Sequence, residues 1–308
     1  MFVSPARVSH MYYAEGLTQA QIASQLGVSR IKVSRMIQQA RADGTVDIRI
    51  RYSGFYPDLE KAVSAAWPGT RFVVTDPLDG SDDQTKVSMG AAAAELLPSL
   101  LPEGGRLAVG WGSTLRVVAD QVNEPMPNVT VVPLLGGQVH AGLDVHANTI
   151  ADRIASRTGA SAQRLFAPAV ASSVAEKHVL IASEQVTRAQ GAAAAADVAL
   201  LSVGSPFSAS STLEQVGYYT AADIEALREA RAACDVVSIV YFDEDGERCC
   251  RELSDRTVSI TEEQLRAIPV KVCVAGGESK HQAIRIALQE GFIDVLVTDA
   301  DTARVLSR

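Results

Sequence analysis

From Pro57 onward, short runs of β-branched and other apolar residues alternate with alanine-rich stretches that are long enough to form helices. Nearly continuous apolar strands separated by helices are typical of a parallel sheet covered on both faces. The predicted strands are 71–75, 107–110, 129–134, 198–203, 236–242, 270–275 and 295–298. The predicted helices are 85–97, 114–121, 149–158, 173–196, 221–233 and 280–291. We therefore predict a doubly wound, mainly parallel α/β domain.

The first 53 residues differ in charge from the remainder of the chain. They contain seven basic and three acidic side chains, whereas residues 54–308 contain 21 basic and 33 acidic ones. A small basic segment followed by a large acidic one indicates two parts with different functions. At about 100–200 residues per domain, the chain accommodates one large domain and one small one. We predict domains at 1–53 and 54–308.

The basic segment carries the signals of a helix-turn-helix. A first helix is predicted over 4–16. Thr18 is placed to cap a second helix, with a glutamine at the capping-box position, and Gly27 ends it. Ser29 opens a third helix, which is predicted to end at Gly44. Two helices separated by three residues that include a glycine form this motif. The predicted apolar face of the first helix consists of Val8, Met11 and Tyr12, and the remaining interior consists of Ile22, Ala23, Leu26, Val28, Val33, Met36 and Ile37.

The third helix carries cations where a helix prefers anions. A helix N-terminus has a partial positive charge, yet Arg30 and Lys32 occupy the first turn and Arg35 follows. DNA would remove this conflict, because recognition helices place their N-terminal residues against bases in the major groove. Segment 45–52 then alternates apolar and polar residues and predicts a strand, as a wing or as a tether. The predicted DNA contacts are Thr18, Gln19, Ser29, Arg30, Lys32, Ser34, Arg35 and Gln38.

Three junctions between a predicted strand and the following segment are rich in glycine and polar side chains. In open α/β sheets, ligands bind where strands end and helices begin. At the first junction, Gly110 and Gly112 permit tight turns, and Ser113 and Thr114 lead into a helix. Such a loop suits an oxyanion or a phosphate. It is not a dinucleotide fingerprint, because Leu115 stands where the third glycine is required.

The second junction combines a double glycine with a cation. Gly276 and Gly277 end a predicted strand, Ser279 is predicted to cap the next helix, and Lys280 begins it. A lysine at a helix N-terminus is either solvated or close to an anion. The third junction, 136–138, follows another strand and is by itself only a loop.

Other classes of function lack their signals. The four cysteines, Cys234, Cys249, Cys250 and Cys273, form no CxxC pair and no Cys/His cluster, which predicts reduced thiols and no metal site. No GxSxG elbow surrounds a serine, and no catalytic residue or cofactor is predicted. The polar N-terminus and the absence of an apolar stretch of about 18 residues predict a cytoplasmic protein without a membrane partner.

These features resemble the SorC family of sugar-responsive transcriptional regulators over almost the whole chain. The resemblance lies in the helix-turn-helix LTQAQIASQLGVSRIKVSRMIQQARADGTVDIRI and in the segments LAVGWGSTL, PLLGGQ, ADVALLSVG and DVVSIVYFDEDG. The most distinctive segment is VAGGESKHQAIRIALQEGFIDVLVTDADTA. Membership of this family implies an effector domain that is related in fold to sugar-phosphate isomerases and is used for binding rather than turnover.

The resemblance also implies which residues contact a sugar or sugar phosphate. Asp235 matches an acid of the family and is expected to bond sugar hydroxyls, although Cys234 stands where glycine is usual. Trp111 is expected to line the pocket. The strongest candidate contacts are Ser113, Thr114, Gln138 and Lys280. The full candidate set is Gly110, Trp111, Gly112, Ser113, Thr114, Gly136, Gly137, Gln138, Asp235, Gly276, Gly277, Ser279 and Lys280.

The sequence therefore predicts a DNA-binding transcriptional regulator of carbohydrate metabolism. Its expected partners are double-stranded operator DNA, a sugar, sugar alcohol or sugar-phosphate effector, and further copies of itself in a dimer or tetramer. The alternative is an enzyme, a sugar-phosphate isomerase fused to a helix-turn-helix. A paired acid and base near Lys280 would favour the enzyme, and the sequence alone does not display one.

Overall fold

The computed structural model describes residues 3–43, 45–46, 56–77, 82–137, 144–208 and 211–308. By its internal contacts, the chain divides into two compact units, Met1–Tyr52 and Ser53–Arg308, which we call the head and the body. None of the helices in these described segments is long and apolar enough to cross a membrane.

The head contains three helices, α1 (Pro5–Tyr13), α2 (Gln19–Leu26) and α3 (Arg30–Ala42). α1 ends before the predicted stop at Gly16, and α3 ends before Gly44. The order and spacing of α2 and α3 confirm the predicted helix-turn-helix. Because both helices are short, they depend on tertiary packing, and residues of α1, α2 and α3 form one shared apolar cluster.

Each helix of the head is capped by a hydroxyl side chain. Ser4, Thr18 and Ser29 each accept the backbone N–H three residues further on, and Thr18 is part of a complete capping box. Gly27 ends α2 in the left-handed conformation, at φ 63°. The strand predicted for 45–52 lies outside the described residues from position 47 onward. The predicted interior is confirmed, with Val8, Met11, Ile22, Ala23, Val33 and Ile37 buried and Tyr12, Leu26, Val28 and Met36 partly buried against them.

The described helices of the body are α4 (Pro57–Ala66), α5 (Asp82–Leu100), α6 (Ser113–Gln121), α7 (Ala147–Thr158), α8 (Val174–Ile181), α9 (Glu184–Ala194), α10 (Ala221–Glu229), α11 (Arg251–Arg256), α12 (Glu262–Ala267), α13 (His281–Gln289) and α14 (Ala300–Leu306). A short 3-10 turn, Glu278–Lys280, precedes α13. The described strands are β1 (Arg71–Thr75), β2 (Arg106–Val109), β3 (Thr130–Pro133), β4 (Ser161–Ala162), β5 (Val198–Leu201), β6 (Val203–Gly204), β7 (Ala232–Val236), β8 (Val240–Asp243), β9 (Arg248–Cys249), β10 (Val270–Val274) and β11 (Val295–Asp299).

Seven parallel strands form the main sheet, in the order β1-β11-β10-β5-β2-β3-β4. Side chains alternate between its two faces, so that Ala108 of β2 packs into one core and Leu107 and Val109 into the other. α4, α9, α12, α13 and α14 cover the first face, and α5, α6 and α7 cover the second. The predicted doubly wound α/β domain is therefore confirmed.

Two predicted elements are wrong because a turn interrupts them. The strand predicted for 236–242 is a hairpin, in which β7 and β8 pair antiparallel within a second sheet of order β6-β7-β8-β9. Its turn is formed by Val237 and Ser238, both left-handed, at φ 55° and 59°. The helix predicted for 173–196 is divided into α8 and α9, and Ser183 precedes the second of these.

Candidate effector site and DNA interface

A pocket opens at the edge of the main sheet where β2 and β5 end; we call it the switch-point pocket. β2 and β5 are neighbours, but the chain leads from β2 to β3 on one side and from β5 to β10 on the other. This reversal leaves a crevice at the carboxyl ends of strands, where open α/β sheets bind ligands. The pocket contains about 520 Å³ of empty space, including its open mouth. Its lining is Trp111, Gly112, Ser113, Thr114, Ser202, Val203, Gly204, Ser205, Pro206, Ser208, Ser211, Thr212, Leu213, Asp235, Val237 and Lys280.

The acidic group of the pocket is Asp235, on β7. The residue is only 3% exposed, and its Oδ1 accepts the backbone N–H of Ser238 at 2.5 Å. Burial raises the pKa of the carboxyl to about 7, against the opposing effects of that hydrogen bond and of the positive charge on Lys280. Near neutral pH, Asp235 therefore either accepts hydrogen bonds or donates one, as a polyhydroxylated ligand requires.

The basic group of the pocket is Lys280, the last residue of the 3-10 turn before α13. The residue is half-buried, and its Nζ donates a long hydrogen bond of 3.4 Å to Oγ of Ser202. Lys280 and Asp235 line the same pocket. The structure thus brings together an acid and a base that are 45 positions apart in the chain.

The third polar wall is the start of α6. The helix is preceded by Gly112, at φ 125°, so no side chain caps its first N–H groups. Thr114 is buried in the first turn and Ser113 is half-buried beside it. An uncapped helix N-terminus with hydroxyl side chains favours an anionic group on a ligand. Residues 111–114 of the predicted loop line the pocket, whereas Gly110 does not, and a Cβ on Gly110 would lie 2.9 Å from Cγ1 of Val237.

Trp111 lines the pocket, and a network of aromatic side chains and Ser238 supports it. Nε1 of Trp111 donates to Oγ of Ser238 at 2.9 Å, and Ser238 also bonds the hydroxyl of Tyr219. Tyr219 in turn bonds the hydroxyl of Tyr241 at 3.1 Å. The ring of Tyr218 meets Trp111 edge-on, at 5.3 Å between centroids. Because these bonds fix the indole, Trp111 presents a preorganised apolar surface to the pocket.

The double-glycine loop contributes less than its sequence suggests. The N–H of Gly277 donates to Oδ2 of Asp299 at 2.8 Å, so it is not directed at a ligand. Close packing explains why position 276 is a glycine, because a Cβ there would lie 2.2 Å from the same oxygen. Ser279 was expected to cap the following helix, but α13 begins without a side-chain cap. Of this loop, only Lys280 lines the switch-point pocket.

In the third predicted junction, the described residues Gly136 and Gly137 also have a structural role. The N–H of Gly136 donates to the carbonyl of Val258, and that of Gly137 to the carbonyl of Ala167. A Cβ on Gly137 would lie 2.7 Å from the hydroxyl of Tyr218. Neither glycine lines the switch-point pocket. Gln138 lies outside the described residues.

The hydroxyl-rich segment after β5 is the part of the pocket that the sequence reading missed. Ser202, Ser205 and Ser208 line the pocket together with Ser211 and Thr212. The signal was present, because a predicted strand is followed by the run SVGSPFSASST, which is rich in glycine and serine. Among the described residues, no group of three or more His, Cys, Asp or Glu side chains is arranged to hold a metal.

The surface of α3 forms the candidate DNA interface. Arg30, Lys32, Arg35 and Gln38 are exposed, and Ser34 is half-buried. Within the described part of the head, the three cations form no ion pair with an acidic side chain. Ile31 is 69% exposed between two of these cations and was not predicted. An apolar side chain at this position suits the methyl group of a thymine in the major groove.

The remaining predicted DNA contacts are used partly within the head. Oγ of Ser29 accepts the N–H of Lys32 at 3.2 Å, and Thr18 exchanges hydrogen bonds with Gln21. Gln19 is half-buried at the start of α2. Thr18 and Ser29 thus cap the starts of α2 and α3, whereas the cations of α3 are exposed.

Comparisons with known proteins agree with both parts of the chain. The family described as "Putative sugar-binding domain" matches residues 54–307, and sigma-70 region 4 matches residues 11–43. The sorbitol operon regulator of Klebsiella pneumoniae is 28% identical over 97% of this chain and 96% of its own length. The deoxyribonucleoside regulator of Bacillus subtilis (strain 168) is 28% identical over 97% of this chain and 95% of its own.

The fold agrees as well. The crystal structure of the full-length sorbitol operon regulator SorC from Klebsiella pneumoniae matches with a TM-score of 0.73 at 26% identity, covering 99% of this chain and 98% of that one. These relatives are transcriptional regulators rather than enzymes, so the pairing of Asp235 with Lys280 does not favour the isomerase alternative. The chain belongs to the SorC family of transcriptional regulators, which combine a helix-turn-helix with a sugar-binding domain.

Proposed function

We propose that α3 of the head reads operator DNA and that a sugar, sugar alcohol or sugar phosphate in the switch-point pocket controls this binding. The observation that carries the proposal is the lining of one crevice by Asp235, Lys280 and the hydroxyl-bearing start of α6. A phosphorylated sugar needs hydrogen-bond partners for its hydroxyls and a positive charge for its phosphate. The carboxyl of Asp235 meets the first need, and the cation of Lys280 meets the second. In this proposal, residues 1–53 form the domain that binds DNA, and residues 54–308 form the domain that binds the effector.

The ligand is proposed to lie with its anionic group towards Lys280 and α6. Lys280 supplies a full charge and the uncapped turn at Ser113–Thr114 supplies backbone donors. Asp235 then faces the hydroxyl end of the ligand, and Trp111 covers an apolar face of the sugar ring. The names of the two relatives refer to sorbitol and to deoxyribonucleosides, which supports the proposal of a sugar or a sugar derivative as the effector.

The control is proposed to be thermodynamic linkage. An effector that binds the DNA-competent and DNA-incompetent arrangements with different affinity shifts the population between them. A helix-turn-helix protein reads two half-sites about one turn of DNA apart, which requires two heads. We therefore propose a homo-oligomer, a dimer or a tetramer, in the cytoplasm. Sedimentation that gives only a monomer at micromolar concentration, with and without DNA, contradicts this part.

The experiment uses the full chain, a panel of sugars, sugar alcohols and their phosphates, and titration calorimetry. Hits are found first by thermal shift, since a ligand at 100 times its Kd stabilises the folded chain by about 2.7 kcal/mol. Lys280→Met is then compared with the parent and with Lys61→Met, which removes an exposed lysine of α4. A charge-assisted hydrogen bond contributes about 1.5–3 kcal/mol, so the Lys280 variant is expected to bind a phosphorylated ligand about 10–150-fold more weakly.

The control and the ligand series separate the outcomes. Lys61→Met is expected to bind like the parent, and an unphosphorylated ligand is expected to lose much less affinity than its phosphate. Equal affinities for the parent and Lys280→Met would show that Lys280 does not bind the ligand and would remove the anion site from the proposal. Turnover of a sugar phosphate by the full chain would restore the enzyme alternative.

A further inference from the structure

The 3-10 turn that ends in Lys280 is attached at both of its ends to the start of α14. Gly277 precedes this turn and His281 follows it. The N–H of Gly277 donates to Oδ2 of Asp299 at 2.8 Å and lies 3.0 Å from Oγ1 of Thr302. Nε2 of His281 lies 3.2 Å from the same Oγ1. One pair of side chains therefore holds both residues that flank the turn.

This pair of side chains is buried and ordered. Asp299 is 2% exposed and Thr302 is fully buried. Oδ1 of Asp299 accepts the N–H of Thr302 at 2.9 Å, which caps α14, and Oδ2 accepts the hydroxyl of Thr302 at 2.7 Å. Because that hydroxyl donates to Asp299, its oxygen accepts the hydrogen bonds of Gly277 and His281. Buried polar networks whose members are paired make a structure rigid.

We propose that Asp299 and Thr302 are positioning residues for the effector, which hold the turn where Lys280 reaches the anionic group of the ligand. Neither belongs to the described residues that line the switch-point pocket, so both act through the turn rather than by touching the ligand. This inference rests on the proposed function, because it names the residues on which the anion site of that function depends.

The order of the strands makes the attachment possible. β10 and β11 are parallel neighbours, so the loop after β10 and the start of α14 meet at the same edge of the sheet. Gly276 allows the close approach, because a Cβ there would collide with Asp299. On the other side of β10, Oγ of Ser202 accepts from Nζ of Lys280. The backbone of Lys280 is thus held from β11 and its amine from β5.

The position of the turn matters because the lysine amine lies at the end of a long, flexible stem. If the turn loosens, Lys280 keeps its charge, but the charge occupies more positions. A ligand must then order the side chain when it binds, and this ordering lowers its affinity. The loss is expected for the anionic group of the ligand and not for the hydroxyls that face Asp235.

The first measurement is made without a ligand. Thr302→Val removes the hydroxyl but keeps the size of the side chain and the backbone N–H that caps α14. Hydrogen exchange of the full chain, read by mass spectrometry, is expected to become faster in the peptide that contains 276–281. Thr298→Val is the matched control, because Thr298 is also buried and its hydroxyl has no hydrogen-bond partner among the described residues. Unchanged exchange in Thr302→Val would overturn the proposal.

The second measurement uses inorganic phosphate as the probe, at constant ionic strength, and reads its affinity from the rise in the thermal midpoint. Thr302→Val is expected to bind phosphate about 2–10-fold more weakly than the parent, the range for the loss of one hydrogen bond. Thr302→Ser, which keeps the hydroxyl, and Thr298→Val are expected to bind like the parent. In a Lys280→Met background, Thr302→Val is expected to cause no further loss, because it acts through Lys280.

The outcomes separate this inference from the proposed function. If Lys280→Met weakens phosphate binding and Thr302→Val does not, the positioning role is refuted and the anion site stands. If Lys280→Met binds phosphate like the parent, the anion site fails and the positioning role fails with it. An equal loss from Thr302→Val in both backgrounds would show a general effect on the fold and would also refute the role.

A second variant covers the case in which Thr302→Val folds poorly. His281→Ala removes the other attachment of the turn at a half-buried position. It is expected to change hydrogen exchange and phosphate affinity in the same direction as Thr302→Val. If His281→Ala leaves both quantities at the values of the parent, the turn does not depend on this network and the proposal is wrong.

Discussion

Replacing the buried carboxyl of the switch-point pocket is expected to change how the stability of the chain depends on pH. In Asp235→Asn the side chain keeps its size and its Oδ1 acceptor for the N–H of Ser238, but loses its ability to ionise. Burial raises the pKa of Asp235 from the ordinary 3.8 to about 7 in the folded chain. At 1.36 kcal/mol for each pKa unit, this difference corresponds to about 4 kcal/mol.

The sign follows from linkage. The folded chain holds the proton more tightly than the unfolded chain, so the carboxyl contributes stability that is fully present below about pH 4. This contribution is lost as the pH rises through the folded pKa near 7. We therefore expect the parent and Asp235→Asn to be similarly stable near pH 4. Above pH 7 the variant should be more stable by about 4 kcal/mol.

The assay is urea unfolding of the full-length parent and variant, followed by circular dichroism at several pH values between 4 and 8. Other acids titrate in this range in both chains, so the quantity of interest is the difference between the two free energies of unfolding. A difference that stays constant across the range would refute the reasoning. A parent that gains stability relative to the variant as the pH rises would show that Asp235 is held ionised.

The remaining predictions concern DNA binding and packing. Arg35→Ala should weaken binding to a selected operator by about 1–3 kcal/mol if the arginine contacts a guanine; unchanged fluorescence anisotropy would exclude α3 as the recognition helix. Ile31→Ala should cost about 1 kcal/mol on the same DNA, and this cost should vanish when uracil replaces thymine; an undiminished cost would exclude the methyl contact. Gly136→Ala should lower the free energy of unfolding by about 1–3 kcal/mol, because the new Cβ would lie 2.4 Å from the carbonyl of Pro168. Gly191→Ala should raise the free energy of unfolding by about 0.5–1 kcal/mol, because Gly191 lies within α9 with open space around it. Equal urea midpoints for the parent and the two variants would contradict both predictions.

The fold could be predicted where local chemistry determines it. The capping box at Thr18 and the helix end at Gly27 are encoded within a few residues, and the structure confirms them. The hairpin at 236–242 could not be predicted, because Val237 and Ser238 adopt left-handed backbones without the glycine or asparagine that usually indicates one. Tertiary packing decides that turn.

The candidate site could be predicted only loop by loop. The Gly110–Thr114 junction was recognisable because a strand end, glycines and hydroxyls are adjacent in sequence. Ser202 and Ser205 were missed because their relevance depends on β5 lying next to β2, a neighbourhood that no local pattern shows. For Gly277, the sequence suggested a free donor, but its partner is Asp299, 22 positions away. Strand order and distant partners were the missing information.

With the effector bound as proposed, the position of the switch-point pocket is expected to affect how the body responds to ligands of different size. Thr114 follows β2 and Lys280 follows β10, so these two lining residues belong to different groups of main-sheet strands, β2-β3-β4 and β5-β10-β11, which meet along three residue pairs between β2 and β5. A ligand held by Thr114 on one side and Lys280 on the other adds a second connection between these groups, at the open end of the crevice. Its binding free energy then depends on the width of that crevice. A pentose and a hexose derivative of equal affinity are therefore expected to hold the crevice at different widths, so that the length of the ligand, separately from its affinity, determines the regulatory output.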